Sequence, residues 1–556
     1  MKIVIIGSVA AGTSVAAKAR RNTEEAEIVV YDQDKDISYS VCGIPYFIGE
    51  EVESIEKLTP RNAPWFKKRY NVDIFTEHRV THIDPIKKQL QILDLQTGQT
   101  KIDTYDALVL AMGASPVIPD IFIGKQWSNI FQVRTIGQAE LLHSFIQFQQ
   151  PKRAVIVGAG FIGLEMAEQL VKSGLEVTLI QRAKQVMKHM DEDMAYRVEE
   201  NLRMNGVRVL LNREIKEIMG EDQINRLIIK NGETLDTDLV ILATGVSPNT
   251  QLAQEVGVEV GSTGAIKVNT KMQTNINDIY AVGDIAESYS LITGGPIYRP
   301  LGSTANKMGR IAGDVITGGT LEHRGILGTG IVRIFDMAIA QTGLTEKEAR
   351  DAGFDVAVLY NIKPDKADYL GGKELTIKAI ADKADGRLLG AQITGVNGVD
   401  KRIDVLATAI SFHAKVEDLF HLDLAYAPPF ATTKDPVLYT GMALDNALKK
   451  NPLMTPEELI EKQEANEEMQ IIDTRSRQQY AASSVKNAIH IPLVDLREKA
   501  LTMDKNKLTI TYCNKGVTGN AAQNVLLNLG FKEVYNLSGG NKNYQLYFQM
   551  KQRTED

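Results

Sequence analysis

The sequence predicts an α/β chain of several domains, with parallel sheets first and an α+β region later. Two glycine-rich turns, at Gly7 and Gly158, each follow an apolar run and open an Ala-rich helical stretch, which indicates repeated βαβ units. From about Ile326, alternating strands precede a helix at 404–414, which indicates an α+β region. The length of 556 residues exceeds what one hydrophobic core can hold and suits about three or four domains.

Composition and charge exclude several classes of function. The net charge of −7 argues against a general nucleic-acid binder, which needs a basic face. No apolar run approaches the ~20 residues of a membrane-spanning helix, so no membrane partner is expected. Cys42 and Cys513 are the only two cysteines, too few for a disulfide framework. We therefore expect a reducing, cytoplasmic setting in which each thiol works alone, and we expect no metal site.

The turn at Gly158 predicts an NAD(P)-binding site. Gly158 makes the turn, Gly160 admits the pyrophosphate and Gly163 lets helix meet strand. The helix N-terminus adds unpaired N–H groups for the phosphates. The next strand, Val177–Ile180, lacks the acidic residue that would hold a ribose 2′-hydroxyl. Arg182 follows it and suits a 2′-phosphate, so NADPH is slightly favoured over NADH.

The turn at Gly7 predicts a second nucleotide site. It contains Gly7 and Gly12 but has Val9 where the middle glycine would stand. By itself this is a poor match to the dinucleotide pattern. Asp32, 25 residues after Gly7 and directly after a strand, restores the pattern because it supplies a carboxylate for a ribose.

Several further motifs occur in a fixed order: YDALVLAMGASP, the strand–GAG–helix segment, LVILATGVSPN and IYAVGD. This order, over residues 1 to about 445, resembles the two-dinucleotide flavoprotein disulfide reductase family. The resemblance implies that FAD binds at the first glycine turn, with Asp284 on its ribityl or pyrophosphate part. It also implies that the segments at Gly113 and Gly245 cross between the two nucleotide domains.

The segment ISYSVCGIPYFIGE has one cysteine, Cys42, where the usual family members carry a CxxxxC pair, and Ser38 stands at the first position. A single thiol cannot close an internal disulfide, so its oxidised form is a sulfenic acid or a mixed disulfide. Single-cysteine NADH oxidases and peroxidases carry a histidine in the first glycine loop, where this sequence has Ala10. The GSVAAG loop and the SxxxC spacing instead resemble coenzyme A-disulfide reductases, and the oxidase or peroxidase remains an alternative.

This second resemblance extends to GVDKRIDVLATA at 398–409 and LAYAPPFATTKDPV at 424–437. It implies a homodimer in which Tyr426 reaches from the partner subunit to protonate the departing coenzyme A thiolate. The family's other tyrosine falls at Asp368, and whether Tyr369 takes over its role is open. The residues that the resemblance assigns to coenzyme A are Ser14, Lys18, Arg21, Ser38, Asn306 and Lys434.

The C-terminal segment contains IIDTRSRQQYAASSVKNAIHIP, then LTITYCNKGVTGNAAQNVLLNLGF and then VYNLSGG. In this order the three stretches resemble a single rhodanese domain. A strand delivers Cys513 to a loop, Asn514–Gly519, whose backbone N–H groups can hold a thiolate or persulfide at the start of a helix. Asn514 stands where rhodaneses often have arginine, so Lys515 is the only cation in the loop. The segment Ser483–Val485 replaces a common Gly-His-Ile. These departures leave open an inactive rhodanese-like domain in a redox-sensing interaction protein.

Together these features predict an FAD-dependent NAD(P)H reductase of coenzyme A persulfide, coenzyme A disulfide or polysulfide, working through a Cys42–S–S–CoA intermediate. The persulfide is favoured because Cys513 could load sulfane sulfur onto coenzyme A. The domains expected along the chain are FAD-binding at 1–115 and 246–325, NAD(P)H-binding at 116–245, dimerisation at 326–445, a linker at 446–468 and rhodanese at 469–556.

Overall fold

The structure, a computed structural model, describes residues 1–555, with side chains described for residues 1–553. It divides into two units. The nucleotide-binding unit comprises Met1–Val186 and Leu202–Gly328. The C-terminal unit comprises Met187–Asn201 and the chain from Thr329 onward.

The nucleotide-binding unit contains two five-stranded parallel sheets and four smaller antiparallel sheets, two of three strands and two of two strands. The elements up to residue 116 are β1 Lys2–Ile6, α1 Ala11–Asn22, β2 Glu27–Tyr31, α2 Ile44–Ile48, α3 Ala63–Tyr70, β3 Asp73–Phe75, β4 His78–Asp84, β5 Gln89–Asp94, β6 Thr100–Thr104, β7 Ala107–Leu110 and β8 Ala114–Pro116. The elements that follow are β9 Ile130–Gln132, α4 Ile136–Gln149, β10 Arg153–Val157, α5 Phe161–Lys172 and β11 Glu176–Gln181. The next helix is α6 Glu192–Met204, and its residues up to Asn201 belong to the C-terminal unit.

The rest of this unit completes both parallel sheets. Its elements are β12 Arg208–Leu211, β13 Ile215–Gly220, β14 Ile224–Ile229, β15 Thr234–Asp236, β16 Leu239–Leu242, β17 Val246–Pro248, α7 Gln251–Gln254, β18 Ile279–Ala281, β19 Ser288–Tyr289, β20 Pro296–Ile297 and α8 Gly302–Ile316. The two chain crossings, β8 and β17, pair antiparallel, with Ala114 opposite Pro248.

In each parallel sheet, the order in which the chain adds strands reverses at a central strand. The first has the order β18-β7-β1-β2-β3 and the second β12-β11-β10-β16-β9. In each sheet the chain leaves the central strand, β1 or β10, toward one neighbour and later returns on the other side. Such a reversal opens a crevice at the carboxyl end of the central strand, where doubly wound folds bind nucleotides. Both glycine turns lie at these points.

The C-terminal unit begins with an antiparallel sheet of order β21-β22-β25-β24-β23, against which helices pack. Its elements are β21 Gly330–Ile334, β22 Met337–Gly343, α9 Glu346–Asp351, β23 Val356–Pro364, β24 Glu374–Asp382, β25 Leu388–Gly395, α10 Val399–Ser411, α11 Val416–Phe420 and α12 Pro436–Lys449.

A five-stranded parallel sheet of order β26-β30-β29-β27-β28 follows. The elements are β26 Leu453–Met454, α13 Pro456–Glu464, β27 Met469–Asp473, α14 Arg477–Ala482, β28 Ala488–His490, α15 Leu496–Lys499, β29 Leu508–Tyr512, α16 Val517–Asn528, β30 Val534–Leu537 and α17 Gly540–Glu555. The stretch 446–468, expected as a linker, contributes β26 and α13 to this fold: Leu453 pairs with Asn536, and Leu459 is fully buried.

The predicted fold class is confirmed: two parallel-sheet nucleotide domains, an antiparallel α+β domain and a C-terminal α/β domain. Across the described residues, no helix combines the length and apolar character needed to cross a membrane.

Candidate active sites

The first glycine turn admits no side chain at its two glycines. Gly7 has a φ of +104°, and a Cβ there would overlap the carbonyl oxygen of Ala111. A Cβ at Gly12 would overlap the carbonyl oxygen of Gly7, where α1 crosses the end of β1. The close approach of strand and helix at the crevice therefore depends on both glycines.

Asp32 directly follows β2 and is held beside this turn. Its Oδ2 accepts hydrogen bonds from the Ser8 backbone N–H (2.7 Å) and the Ser8 hydroxyl (2.6 Å), and its Oδ1 accepts one from the Asp34 N–H (2.9 Å). Burial raises the pKa of the Asp32 carboxyl, although these three bonds oppose the rise. The carboxylate is thus fixed at the edge of the crevice, where a ribose would be recognised.

The second glycine turn shows a different requirement at each glycine. Gly158 has a φ of +109°, and a Cβ there would overlap the Ala243 carbonyl oxygen. A Cβ at Gly163 would overlap the Gly158 carbonyl oxygen. At Gly160, by contrast, no heavy atom lies within 4 Å of the place of a Cβ. This open space at the N-terminus of α5 suits a pyrophosphate.

The remaining nucleotide-site residues lie where strands end. Arg182 is exposed just beyond β11. The pKa of the Glu214 carboxyl is lowered mainly by Lys230 and to a smaller extent by Arg182. Gly113 (φ +64°) and Gly245 (φ +101°) each follow a parallel strand and precede the paired crossings β8 and β17.

Cys42 lies in the turn Val41–Gly43, immediately before α2, and its side chain is exposed to solvent. The surrounding protein atoms nevertheless raise the pKa of the Cys42 thiol through desolvation. Glu165 and Asp284 add to the rise, whereas Arg134 opposes it. The thiolate is therefore disfavoured by the protein alone, and Arg134 is the cation that stabilises it.

Arg134 is a site residue that the sequence motifs did not indicate. Its Nη2 donates to the Asp284 Oδ2 at 2.9 Å. The Tyr298 hydroxyl donates to the Asp284 backbone carbonyl at 2.8 Å. The backbone N–H of Arg134 donates to the side chain of Gln138 in the first turn of α4. Because Arg134 lies outside every motif, only the tertiary structure brings it to Asp284 and Cys42.

Glu165 is the second residue that sequence reasoning missed. It lies on α5, the helix of the second glycine turn, and the Tyr46 hydroxyl donates to its Oε1 at 3.1 Å. Tyr46 lies on α2, which packs against α5 and begins two residues after Cys42. A carboxylate and a cation from the region of the second parallel sheet therefore both act on a thiol from the region of the first.

Three residues assigned to coenzyme A lie on one face of α1. Ser14, Lys18 and Arg21 are spaced by four and three positions, which places them above one another on a helix. The Ser14 hydroxyl donates to the Asn306 Oδ1 on α8 at 2.6 Å, which brings two assigned residues together. A Cβ at Gly309 would overlap the Ala11 carbonyl oxygen, so α1 and α8 approach closely.

The basic residues of α1 already have partners. The Lys18 Nζ lies 2.9 Å from the Asp314 Oδ1. The Arg21 Nη2 donates to the Tyr70 hydroxyl at 3.0 Å.

Ser38 has a φ of +50°, and its backbone N–H donates to the Ser8 carbonyl at 3.0 Å. Ser38 therefore connects the cysteine segment to the first glycine turn.

Tyr426 belongs to an exposed aromatic surface of the antiparallel domain. The side chain of Tyr426 is 51% exposed, Phe430 73% and Tyr369 78%. The Ala367 N–H lies 3.4 Å from the Pro428 carbonyl, which joins the turn of Tyr369 to the loop of Tyr426. Exposed aromatic patches of this kind mark interaction surfaces. Lys434 is also exposed.

Cys513 lies at the carboxyl end of β29 and is 7% exposed. Its Sγ accepts a hydrogen bond from the Gly516 backbone N–H at 3.2 Å, at the N-terminus of α16. The Asn541 N–H donates to the Cys513 carbonyl at 2.8 Å. Lys515, predicted as the only cation in the loop, forms an ion pair with Glu374 of β24.

Comparison with known proteins identifies each domain. Residues 1–297 match the family described as pyridine nucleotide-disulphide oxidoreductase. Residues 330–436 match the dimerisation domain of that family, and residues 455–546 match the rhodanese-like domain. The predicted types of domain are thus confirmed.

Individual relatives cover most or all of the chain. An NADH oxidase of Methanocaldococcus jannaschii is 37% identical over 452 residues, which are 81% of this chain and 99% of that protein. A CoA-dependent NAD(P)H sulfur oxidoreductase of Pyrococcus furiosus is 38% identical over 447 residues, 80% of this chain and 99% of that protein. The crystal structure of reduced Bacillus anthracis CoADR-RHD has a TM-score of 0.95 and 35% identity, covering 99% of this chain and 98% of that one.

Proposed function

Because the chain belongs to the pyridine nucleotide-disulphide oxidoreductase family, we propose that it is an FAD-dependent NAD(P)H reductase of coenzyme A persulfide and disulfide. One observation carries the proposal: the nucleotide-binding unit has a single cysteine, Cys42, and Glu165 and Arg134 act on its thiol electrostatically. With no second thiol in that unit, Cys42 can form a disulfide only with a sulfur partner from outside the unit, and its other oxidised form is a sulfenic acid. The relative from Pyrococcus furiosus, which is CoA-dependent, supports coenzyme A as that partner.

The residues around both glycine turns suit dinucleotides. Gly7, Gly12, Asp32, Gly113 and Asp284 would hold FAD, since the turn excludes side chains and Asp32 presents a fixed carboxylate. When bound, FAD would pass electrons from NAD(P)H to the disulfide at Cys42.

The nicotinamide cofactor would occupy the second turn. Gly158 and Gly163 allow the close approach of strand and helix, and Gly160 leaves open space at the start of α5. Gly245 follows β16 of the same sheet and completes the proposed set. The exposed guanidinium of Arg182 favours NADPH, because it can pair with a 2′-phosphate.

Cys42 would act as a nucleophile on two related substrates. With coenzyme A disulfide, the thiolate attacks one sulfur and coenzyme A leaves as its thiolate. With coenzyme A persulfide, the thiolate attacks the sulfur that belongs to coenzyme A itself, the bond to the outer sulfur breaks, and the outer sulfur leaves as hydrosulfide. Both reactions form Cys42–S–S–CoA. Arg134 would favour the attacking thiolate, and Tyr426 of the partner subunit would protonate the departing coenzyme A.

Coenzyme A would lie along the face of α1. Ser14 and Asn306 form one polar pair there, with Lys18 and Arg21 further along the helix. Cationic side chains suit the phosphates of coenzyme A. Asp314 holds Lys18 in place, so Lys18 would meet a phosphate as a preoriented group. Ser38 and Lys434 complete the proposed set.

A second candidate function is NADH oxidation by oxygen. The name of the Methanocaldococcus jannaschii relative favours it. Against it, Ala10 occupies the place of the histidine that oxidases of this type carry. Without that acid, oxygen or peroxide chemistry at Cys42 lacks a proton donor in the glycine loop. The other alternative, a redox-sensing interaction protein, would bind FAD but would not consume NAD(P)H with any coenzyme A sulfur species.

Cys42→Ser tests the proposed function. We expect the variant to keep its yellow flavin and NAD(P)H binding, and to lose NAD(P)H oxidation with coenzyme A disulfide and persulfide, because the serine hydroxyl cannot form the mixed disulfide. Cys513→Ser is the matched control and should retain reduction of both preformed substrates. Near-normal turnover by Cys42→Ser would contradict the mechanism. Oxygen-dependent NADH oxidation in the wild type that exceeds turnover with coenzyme A substrates would favour the second candidate.

A further inference from the structure

We propose that Lys363, contributed by β23 and not by the rhodanese-like domain, is the cation that holds an anionic sulfane-sulfur donor beside Cys513. The donor class is a small dianion such as thiosulfate or inorganic polysulfide. The inference rests on the proposed role of Cys513 in sulfur transfer. It assigns part of that site to a different domain of the same unit.

The backbone of β23 lies against the loop that supports Cys513. The Tyr360 backbone N–H donates to the buried Ser538 hydroxyl at 2.8 Å. A Cβ at Gly539 would lie 3.0 Å from the Tyr360 Cβ, and one at Gly540 would overlap the Cys513 carbonyl oxygen. The segment Ser538–Gly540 is therefore packed between β23 and Cys513, and Lys363 follows three residues after Tyr360 on the same strand.

The side chain of Lys363 is half-buried and packs against Tyr439. Its Nζ lies 3.5 Å from the centre of the Tyr439 ring on α12, a cation–π contact. Burial lowers the pKa of Lys363 to about 8; Lys515 and Lys434 also lower it, whereas the negative charge of Cys513 acts in the opposite direction. Burial and the charge of Cys513 raise the pKa of Tyr439. Lys363 and Tyr439 both interact electrostatically with Cys513.

Lys363 differs from the other cations near the loop because it is not neutralised. Lys515 and Lys542 both form ion pairs with Glu374. Within the part of the chain that the structure describes, Lys363 forms no ion pair with a carboxylate. Asn514, at the usual arginine position, has no charge. The positive charge missing from the loop is therefore supplied by β23.

The chemistry explains the need for this charge. The Cys513 thiolate attacks the outer sulfur of thiosulfate, a new S–S bond forms, and the S–S bond to sulfite breaks. Sulfite leaves with the electron pair, Cys513 keeps a persulfide, and the total charge stays at minus three on both sides. With polysulfide, the chain shortened by one sulfur leaves in the same way. Bringing an anion to a thiolate needs a nearby cation, because both lose water.

The test compares full-length wild type with Lys363→Gln, Lys363→Arg and a matched surface control, Lys373→Gln. Each protein is incubated with thiosulfate or, separately, with polysulfide, and the persulfide on the Cys513 peptide is measured by mass spectrometry between pH 6 and 10. We expect Lys363→Gln to form persulfide at least ~10-fold more slowly with both donors at neutral pH. Lys363→Arg should retain most of the rate and lose the decline above pH ~8, since arginine stays protonated.

Alkylation supplies a second measurement that a general loss of packing would not reproduce. The pH at which half of Cys513 reacts with iodoacetamide should rise by about one unit in Lys363→Gln and stay unchanged in Lys373→Gln. NAD(P)H-dependent reduction of coenzyme A disulfide should be unchanged in both, which verifies the fold. A Lys363→Gln protein with wild-type rates and pH profile would overturn the inference alone. A wild type that forms no Cys513 persulfide from either donor would contradict sulfur transfer at Cys513 and the inference with it.

Discussion

Arg134 and Glu165 bring opposite charges to the same thiol. Glu165 raises the pKa of Cys42, and Arg134 lowers it, while Asp284 holds Arg134 through a 2.9 Å hydrogen bond. Desolvation is the largest cause of the raised pKa of Cys42, and Glu165 and Arg134 then shift that pKa in opposite directions. A redox thiol that must alternate between thiolate and mixed disulfide benefits from a pKa that such neighbours can adjust.

Arg134→Gln tests this balance. Removing the cation should raise the pKa of Cys42, and the pH at which half of Cys42 reacts with iodoacetamide should rise by about one unit. Glu165→Gln is the matched control with the opposite sign, since it removes an anion and should move the midpoint downward. Peptide mass spectrometry distinguishes Cys42 from Cys513. Midpoints that move in the same direction in both variants would contradict the assigned charges.

At the scale of elements, the sequence could predict what is local. The glycines at 7, 12, 158 and 163 were predictable because each occupies a tight turn or a close helix–strand approach. β26 was not, because a strand of two residues has no periodicity and pairs with β30, more than 80 positions later. Arg134 and Lys363 were missed for the same reason: the pairing of distant elements, and not their neighbours in sequence, brings each to a thiol.

Lys378 shows how distant elements are joined within the C-terminal unit. It projects from β24 and is 3% exposed at its side chain. Its Nζ lies 2.9 Å from Asp193 on α6, 3.0 Å from Glu346 on α9 and 3.2 Å from Asp191. Burial would lower the pKa of Lys378, but the surrounding negative groups raise it well above its usual range. The ion cluster therefore ties the starts of two helices to the sheet.

Lys378→Met should lower the free energy of unfolding by about 3–5 kcal/mol, because the buried Asp191 and Asp193 and the partly buried Glu346 lose their common counter-charge. Urea titration followed by circular dichroism measures the change. Lys383→Met is the matched control: Lys383 forms an exposed pair with Asp355, and its loss should cost less than about 1 kcal/mol. Equal effects of the two substitutions would show that the buried cluster adds nothing to stability.

At the scale of the whole molecule, the exposed aromatic surface favours a homodimer. Tyr369, Tyr426 and Phe430 are each more than half exposed in the isolated chain. Side chains of this size are seldom left in water over a contiguous area. The match of residues 330–436 to a dimerisation domain supports the same assembly. Homodimerisation would let Tyr426 of one subunit serve the Cys42 of the other.

Complementation between two inactive subunits tests that arrangement. We expect Cys42→Ser and Tyr426→Phe homodimers to be inactive or slow, the latter by ~10²–10⁴-fold if the phenol is the general acid. A heterodimer, co-expressed with two different tags and purified through both, combines the intact Cys42 of one chain with the intact Tyr426 of the other. It should have one working site of two, or about half of wild-type activity, because a twofold dimer contains two equivalent sites. The two homodimers mixed without subunit exchange are the control. If Cys42 and Tyr426 instead act within one chain, every site in the heterodimer contains a defect and no activity returns.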